Sequence, residues 1–442
     1  MTKTYTLLLT LVGLALLTPP SFAAFPFGGS PALNPTPVTK KQPARQNTRG
    51  RVPSVGSTSL LAKDTTAAPF TADVYAKLVQ RTRPEDNLLF SPISISTVLS
   101  LAASGAKGET QSEMLKVLHS TQADLPAITQ RIATQMENWN RPSRYHQLAL
   151  ANGLFLQKNY PIEGVFGSLA KQKYKAVVAN LDFARAAETS RARINAWVSK
   201  KTMGRIKGLL PQGSITRDTR VVLANALYFR SDWLHPFEKQ RTRLQNFTLP
   251  NGRTKMVQMM FQEGGFNYYQ DDDIQMVFLP YRNKALQMCV ILPRKRNALP
   301  ALEKNLTGEK LATWLSKGQQ QGASPLKIYL PKFKFEKSIS LAKVLHELGM
   351  KKAFAFQEAD FTGISKQTPK LVLSSVLHRA VIDLDEKGTT AAAATAMTLA
   401  LGGGGPPIEP EKIIFRADHP FLIAIVDTTA DVPLFFGRVA TP

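Results

Sequence analysis

The order of its helix and strand signals constrains this chain more than any other feature. Residues 91–105, "SPISISTVLSLAASG", open with Ser91 as an N-cap and Pro92 at the first helical position, and Gly105 closes the pattern. Residues 110–119 start with Thr110 and Glu113 at a capping-box spacing. "SISLAKVLHELG" (338–349) sets Leu341, Val344, Leu345 and Leu348 on one helical face, with Gly349 as the stop. Strand-like runs, mostly rich in β-branched and aromatic residues, occupy 221–229, 276–281, 286–293, 326–335, 421–427 and 433–439. Helices dominate early and strands late. That order predicts an α+β fold rather than a parallel α/β sheet, which needs strict alternation.

The N-terminal region reads differently. Lys3 precedes an apolar run from Leu7 to Leu17, and Ser21-Phe22-Ala23 fits a small-x-small cleavage site, so residues 1–23 read as a signal peptide. The run is shorter than the roughly 20 residues a membrane span needs, and no later run reaches that length. The expected location is therefore secreted and extracellular, or periplasmic in a Gram-negative host, with no membrane association. Residues 24–66 hold six prolines with many Ser, Thr, Gly and basic residues. They read as a disordered basic linker. Globular composition begins near residue 67 and runs to 442.

Charge and cysteine content narrow the function. Lys3 contributes +1 and residues 24–66 contribute +5, which leaves +18 of the net +24 on the globular part. Such a field favours acidic partners and leaves polyanion binding open, although dispersed solubilising lysines would look the same. The lone cysteine, Cys289, lies in the apolar run "LQMCVILP" and reads as a small core residue. No CxxC, HExxH or clustered His/Cys spacing occurs, so neither a metal nor a cofactor is expected. A secreted hydrolase is disfavoured, since there is no G-x-S-x-G elbow and no phosphate-loop spacing. His378 lies in the alternating run "SSVLHRAVIDL" and reads by default as a hydrogen-bonded core histidine.

One tract fits none of these categories: "EKGTTAAAATAMTLALGGGG" (386–405). On a strand, one face carries Thr389, Ala391, Ala393, Thr395, Met397, Leu399 and Leu401, and grows steadily more apolar. The other face, from Thr390 to Ala400, stays small. Small side chains make a poor permanent core but slip easily between existing strands. By composition alone, a half-buried strand and an Ala/Gly linker fit equally well.

Residues 371–397, "LVLSSVLHRAVIDLDEKGTTAAAATAM", resemble the reactive-loop hinge of the serpins, the serine-protease-inhibitor family. The likeness continues in "NLLFSPISIS" (87–96), "INAWVSKKTMGRIKGLLP" (194–211), "NALYFRSDWLHPF" (225–237), "LHELGMKKAFAFQEADFTGIS" (345–365) and "FRADHPFLIAIVDTTADVPLFFGRV" (415–439), and spans nearly all of 67–442. It implies one domain with about nine helices, three β-sheets and an exposed reactive loop at about 386–410. It also implies a trap rather than an enzyme. A target serine protease attacks the loop and forms a covalent acyl complex, and the cut loop then inserts into the main sheet.

The resemblance assigns a hinge to Glu386, Gly388, Thr389, Ala391, Ala392, Ala393, Ala394 and Thr395. It assigns a polar latch to Ser91, Ser94, Asn225 and His378, and a loop-entry region to Trp233 and Lys332, with Lys332 expected to pair with Glu386. The attacked bond is expected at Gly402–Gly403 or Leu401–Gly402. Leu401 would suit chymotrypsin-like or subtilisin-like proteases, and Gly402 elastase-like ones. The implied protein is a monomer. The other serpin reading is a non-inhibitory carrier or chaperone, against which the absence of Pro or charge between 388 and 401 argues.

Overall fold

The computed structural model describes residues 65–139, 143–368, 370–388, 412–430 and 432–442. The signal peptide, nearly all of the linker, hinge residues Thr389, Ala391, Ala392, Ala393, Ala394 and Thr395, and the bond candidates Leu401, Gly402 and Gly403 lie outside the described residues.

The described chain runs α1 (Ala67–Val79), β1 (Leu88–Phe90), α2 (Pro92–Ser104), α3 (Gly108–Val117), α4 (Leu125–Trp139), β2 (His146–Gln157), α5 (Gly164–Gln172), β3 (Val177–Leu181), α6 (Ala187–Lys201) and β4 (Val221–Ser231). It continues through β5 (Arg243–Thr248), β6 (Thr254–Gln270), β7 (Ile274–Pro280), β8 (Leu286–Pro293), α7 (Leu299–Lys304), α8 (Gly308–Gln320), β9 (Ala323–Pro331), β10 (Phe333–Ser340), α9 (Ala342–Glu347), β11 (Leu373–Leu384), β12 (Ile413–Arg416), β13 (Phe421–Asp427) and β14 (Val432–Val439). The class is α+β, with nine α-helices among the described residues.

Hydrogen bonding joins the strands into two sheets rather than three. One has the order β10-β11-β4-β2-β3, and the other runs β1-β14-β13-β8-β7-β6-β9-β12 with β5 beside β6. The larger sheet is continuous because β6 is 17 residues long and serves both of its ends. Its first six residues pair with β5, Met259–Asn267 pair with β9, and its last four residues pair with β7.

Several sequence expectations need correction. Helix α3 begins at Gly108, two residues before the expected capping box. Thr110 is buried and accepts a hydrogen bond from the Asp360 amide, while the Glu113 carboxylate accepts from the amides of Lys351 and Lys352. Both side chains serve a neighbouring loop instead of their own helix. Gly105 ends α2 without a left-handed φ. The run 326–335 is two strands in different sheets, β9 and β10, joined through Lys332 alone. Residues 338–340 belong to β10, so the helix expected over 338–349 shrinks to the six residues of α9. Cys289 is fully buried in β8, where burial pushes its thiol pKa well up.

The faces of the five-stranded sheet differ in what covers them. On one face, odd residues of β4 (Val221, Leu223, Leu227, Phe229) join Val376, Ala380 and Ile382 of β11 in the main core. On the other face, Ala149, Ala151, Ala224 and Ala226 pack with Ile194 and Val198 of α6, alongside the larger Phe155, Tyr228 and Leu377. Where β14 pairs with β1, Gly437 has no room for a side chain. A Cβ at Gly437 would lie 2.0 Å from the Leu88 carbonyl oxygen. Gly437→Ala is expected to destabilise the fold by about 3 kcal/mol, read as a lower urea midpoint with an unchanged slope.

Candidate functional site

The five-stranded sheet has an unusual centre. β4 and β11 are parallel, while β10 flanks β11 and β2 flanks β4 in antiparallel pairing. Parallel pairing is slightly weaker per residue. A row of polar side chains crosses this centre. Asn152 on β2 is opposite Asn225 on β4, which is opposite His378 on β11. All three are buried, at 3%, 1% and 0% exposure.

Buried polar groups need partners, and this row supplies nearly all of its own. Ser91 and Ser94 bring the N-terminus of α2 beneath it. The Ser91 amide donates to His378 Nε2 at 2.9 Å, so Nε2 is the unprotonated nitrogen. Nδ1 therefore carries the hydrogen and donates to Asn225 Oδ1 at 2.5 Å. The same oxygen accepts from the Ser94 hydroxyl at 2.7 Å. Asn225 Nδ2 donates to the Ser94 carbonyl at 3.0 Å and to Asn152 Oδ1 at 2.7 Å. The Ser91 hydroxyl also caps α2 by accepting from the Ser94 amide. Burial holds the imidazole neutral, with its pKa lowered to about 3.

The chain leaves β11 through a tight turn at 385–388. The Asp385 amide donates to the Gly388 carbonyl, and the Gly388 amide donates back. Gly388 is bridged antiparallel both to Asp385 and to Asp232, the residue that follows β4. Glycine is required here. Its φ is +118°, and a Cβ would lie 2.4 Å from the Ser231 carbonyl oxygen. Trp233 is buried, stacks on Tyr281 at 4.5 Å, and donates from Nε1 to the Asp385 carbonyl. Its amide donates to the Lys387 carbonyl at 3.0 Å.

Glu386, inside the turn, is only 4% exposed. Lys332 Nζ lies 2.9 Å from one carboxylate oxygen, and the Thr242 hydroxyl donates to the other at 2.9 Å. Burial pushes the Glu386 carboxyl pKa up, but the Lys332 ammonium and the Thr242 hydroxyl outweigh it and hold the pKa below the ordinary range. Because Lys332 is the sole link between β9 and β10, this ion pair ties the turn to the junction of the two sheets.

The structure thus gathers the sequence candidates into two clusters on one strand pair: Ser91, Ser94, Asn225 and His378 under its middle, and Trp233, Lys332, Glu386 and Gly388 at its end. Sequence reasoning missed Asn152, Thr242, Tyr281 and Asp385. Asn152 left a signal, a single amide in the apolar run "LALANGLFL" (148–156). The others become visible only through long-range pairing. Among the described residues no group of three or more His, Cys, Asp or Glu could hold a metal ion, and no helix is long and apolar enough to cross a membrane.

The buried His378 carries a pH dependence. The unfolded imidazole takes its proton near 6.5 and the folded one only near 3, so between those values the unfolded chain binds more protons. Stability therefore falls as pH drops below about 6.5. From pH 7 to pH 5 the contribution of this group is expected to be about 2 kcal/mol. The unfolding free energies of wild type and His378→Gln, from urea titrations, should converge toward acid pH by that amount.

Comparisons with known proteins agree with this geometry. Residues 65–442 match the family model described as Serpin (serine protease inhibitor). Serpin B9 of Homo sapiens is 36% identical over 372 residues, covering 83% of this chain and 96% of the relative. The leukocyte elastase inhibitor of Equus caballus is 35% identical over 380 residues, covering 84% and 97%. The structure of human thyroxine-binding globulin superposes with a TM-score of 0.75 at 26% identity, covering 86% of this chain and 98% of that one. With the family model spanning most of its length, the chain belongs to the serpin family of serine protease inhibitors.

Proposed function

We propose that this protein inhibits serine proteases by single-use trapping, in which the segment after Gly388 becomes a new strand between β4 and β11. The supporting observation is the double bridge of Gly388. The last residue of the turn is paired antiparallel to the continuations of both strands. A strand extended from it would run antiparallel to each, replacing one parallel ladder by two antiparallel ones.

Length and register favour the same reading. β11 has 12 residues and β4 has 11, against 13 in the tract 389–401. Counting on from the Asp385 and Asp232 bridges, Thr395 would arrive opposite His378 on one side and Asn225 on the other. Its hydroxyl can then serve both groups once their mutual hydrogen bond is broken. Ala391, Ala393, Met397 and Leu399 would fall on the core face. Ala392, Ala394 and Ala396 would fall under α6, against Ala224 and Ala226. A 13-residue strand spans roughly 44 Å, so a protease acylated near Leu401–Gly403 would be carried along the sheet's whole length.

The partner is then a serine protease of chymotrypsin-, elastase- or subtilisin-like specificity, captured as an acyl complex by a monomer. One relative bears the name leukocyte elastase inhibitor, which is consistent with a protease target. Residues 1–23 would direct export, and 24–66 would link the signal to a serpin domain over 67–442. A carrier role is the second reading, since a structural neighbour is named for thyroxine binding.

Mixing the protein with a panel of serine proteases is expected to give adducts that survive SDS, with mass spectrometry of the released peptide locating the cut at 399–403. Thr395→Arg would force an unpaired charge into the core on insertion, at several kcal/mol. It is expected to remain cleavable while losing most adduct formation. Equal adduct yield from wild type and variant would contradict the insertion model.

A further inference from the structure

The larger sheet carries a cationic face where β5, β6, β9 and β12 lie side by side. The registers put Arg243 opposite Met259, Tyr329 opposite both Phe261 and Arg416, and Lys327 opposite both Glu263 and Ile414. Opposed residues in a ladder, and residues two apart on one strand, share a face. Arg243, Phe261, Lys327, Tyr329, Ile414 and Arg416 therefore point to the same side. Contacts agree with the register. The Phe261 and Tyr329 rings are 4.8 Å apart, Arg241 stacks on Phe261 at 4.0 Å, and Arg416 stacks on Tyr329 at 3.6 Å. Arg416 Nη1 also donates to Gln245 Oε1, two residues from Arg243, at 2.6 Å.

Both ends of the tract 389–411 meet this face. Before the tract, the Glu386 carboxylate accepts from the Thr242 hydroxyl, and Thr242 lies between Arg241 and Arg243. After it, Lys412 pairs with Glu263 and leads into β12. Gly402 is ten residues from Lys412, a reach of at most about 35 Å. A serine protease domain of about 230 residues is roughly 45 Å across. A protease seated near that bond is thus wider than the tether that separates it from β12.

The charge on this face has one sign in excess. Arg241, Arg243, Lys327, Lys412 and Arg416 stand against two carboxylates, Glu238 beside Arg241 and Glu263 beside Lys412. Stacking holds the Arg241 and Arg416 guanidiniums flat on their rings and leaves N–H edges for a partner's carboxylates. Ile414, 56% exposed, adds an apolar contact beside them. We propose that this face is an accessory docking surface for the target protease, and that the protease is acidic beside its active-site cleft. The identity of the partner rests on the trapping reading. Cutting of the tract needs no trapping, so the two can fail separately.

The test uses two serine proteases of one cleavage specificity, one acidic overall and one basic. Each rate of cutting at 399–403, read by mass spectrometry, is divided by that for a free peptide of residues 396–406. The acidic protease is expected to show about a tenfold advantage on wild type at low salt, shrinking at high salt. Arg243→Glu/Lys327→Glu should abolish most of it, and Arg243→Gln/Lys327→Gln should reduce it about threefold. The same charge reversal at exposed Lys200 and Lys201 of α6, which packs on the other sheet, should leave it within about twofold. Thermal midpoints check that each variant is folded, and the Gln pair decides if the Glu pair is not. Equal normalised rates for the two proteases, an equal loss in the α6 variant, or a loss that salt does not diminish overturns the docking surface. So does a face variant that leaves a sulfated-polysaccharide column early yet is cut at the wild-type rate, which would assign the charge to a polyanion. Fast, salt-sensitive cutting without an SDS-resistant adduct upholds the surface and counts against the trapping reading.

Discussion

Everything in the candidate site depends on two parallel strands meeting over a buried polar row. β4 and β11 share the weakest kind of ladder in their sheet, and a histidine and an asparagine sit between them where aliphatic side chains would otherwise pack. The row is satisfied only while the strands remain neighbours. Moving β11 one strand spacing away takes His378 Nδ1 out of reach of Asn225, which leaves a buried donor unpaired at about 1–3 kcal/mol, while Asn225 Oδ1 keeps the Ser94 hydroxyl. The closed sheet is therefore held at its centre by polar contacts that, under the proposed insertion, an incoming strand would have to replace in kind. A threonine at that row could replace them; an alanine or leucine could not.

The end of the strand pair works differently. There the closed state is kept by geometry: a glycine whose φ excludes other residues, a tryptophan wedged under the Asp385 carbonyl, and an ion pair from Glu386 to the single residue joining the two sheets. Lys332 is about one-third exposed, so this pair is worth less than a fully buried one. Under the proposed insertion the two devices would divide the work: the turn would start the incoming strand in register, and the polar row would decide whether that strand proceeds past the middle of the sheet. On the opposite face, Ile194 and Val198 of α6 pack in one cluster with Ala149, Ala151, Ala224 and Ala226.

Much of this was legible in the sequence. Runs such as 286–293 and 421–427 coincide with β8 and β13 because fully buried strands carry unbroken apolar stretches. Ser91 and Pro92 mark the start of α2 because their chemistry is local. What failed was non-local. Thr110 and Glu113 look like a capping box, yet their side chains bond a loop some 240 residues away. The run 326–335 looks like one strand because nothing in it announces that Lys332 changes sheets. Among the site residues, His378 could be read as a satisfied core histidine. Asn152 stands out as a lone amide in an apolar run, but its link to His378 through Asn225 needs the register that aligns β2, β4 and β11.

The central claim is that the closed sheet becomes more stable once its loop has been severed and admitted between β4 and β11. Nicking the segment 399–403 with a non-target protease and recording thermal unfolding before and after tests this most directly. The account predicts that the midpoint rises by more than about 10 °C after the cut. A nicked protein that melts at the same temperature as the intact one would contradict it.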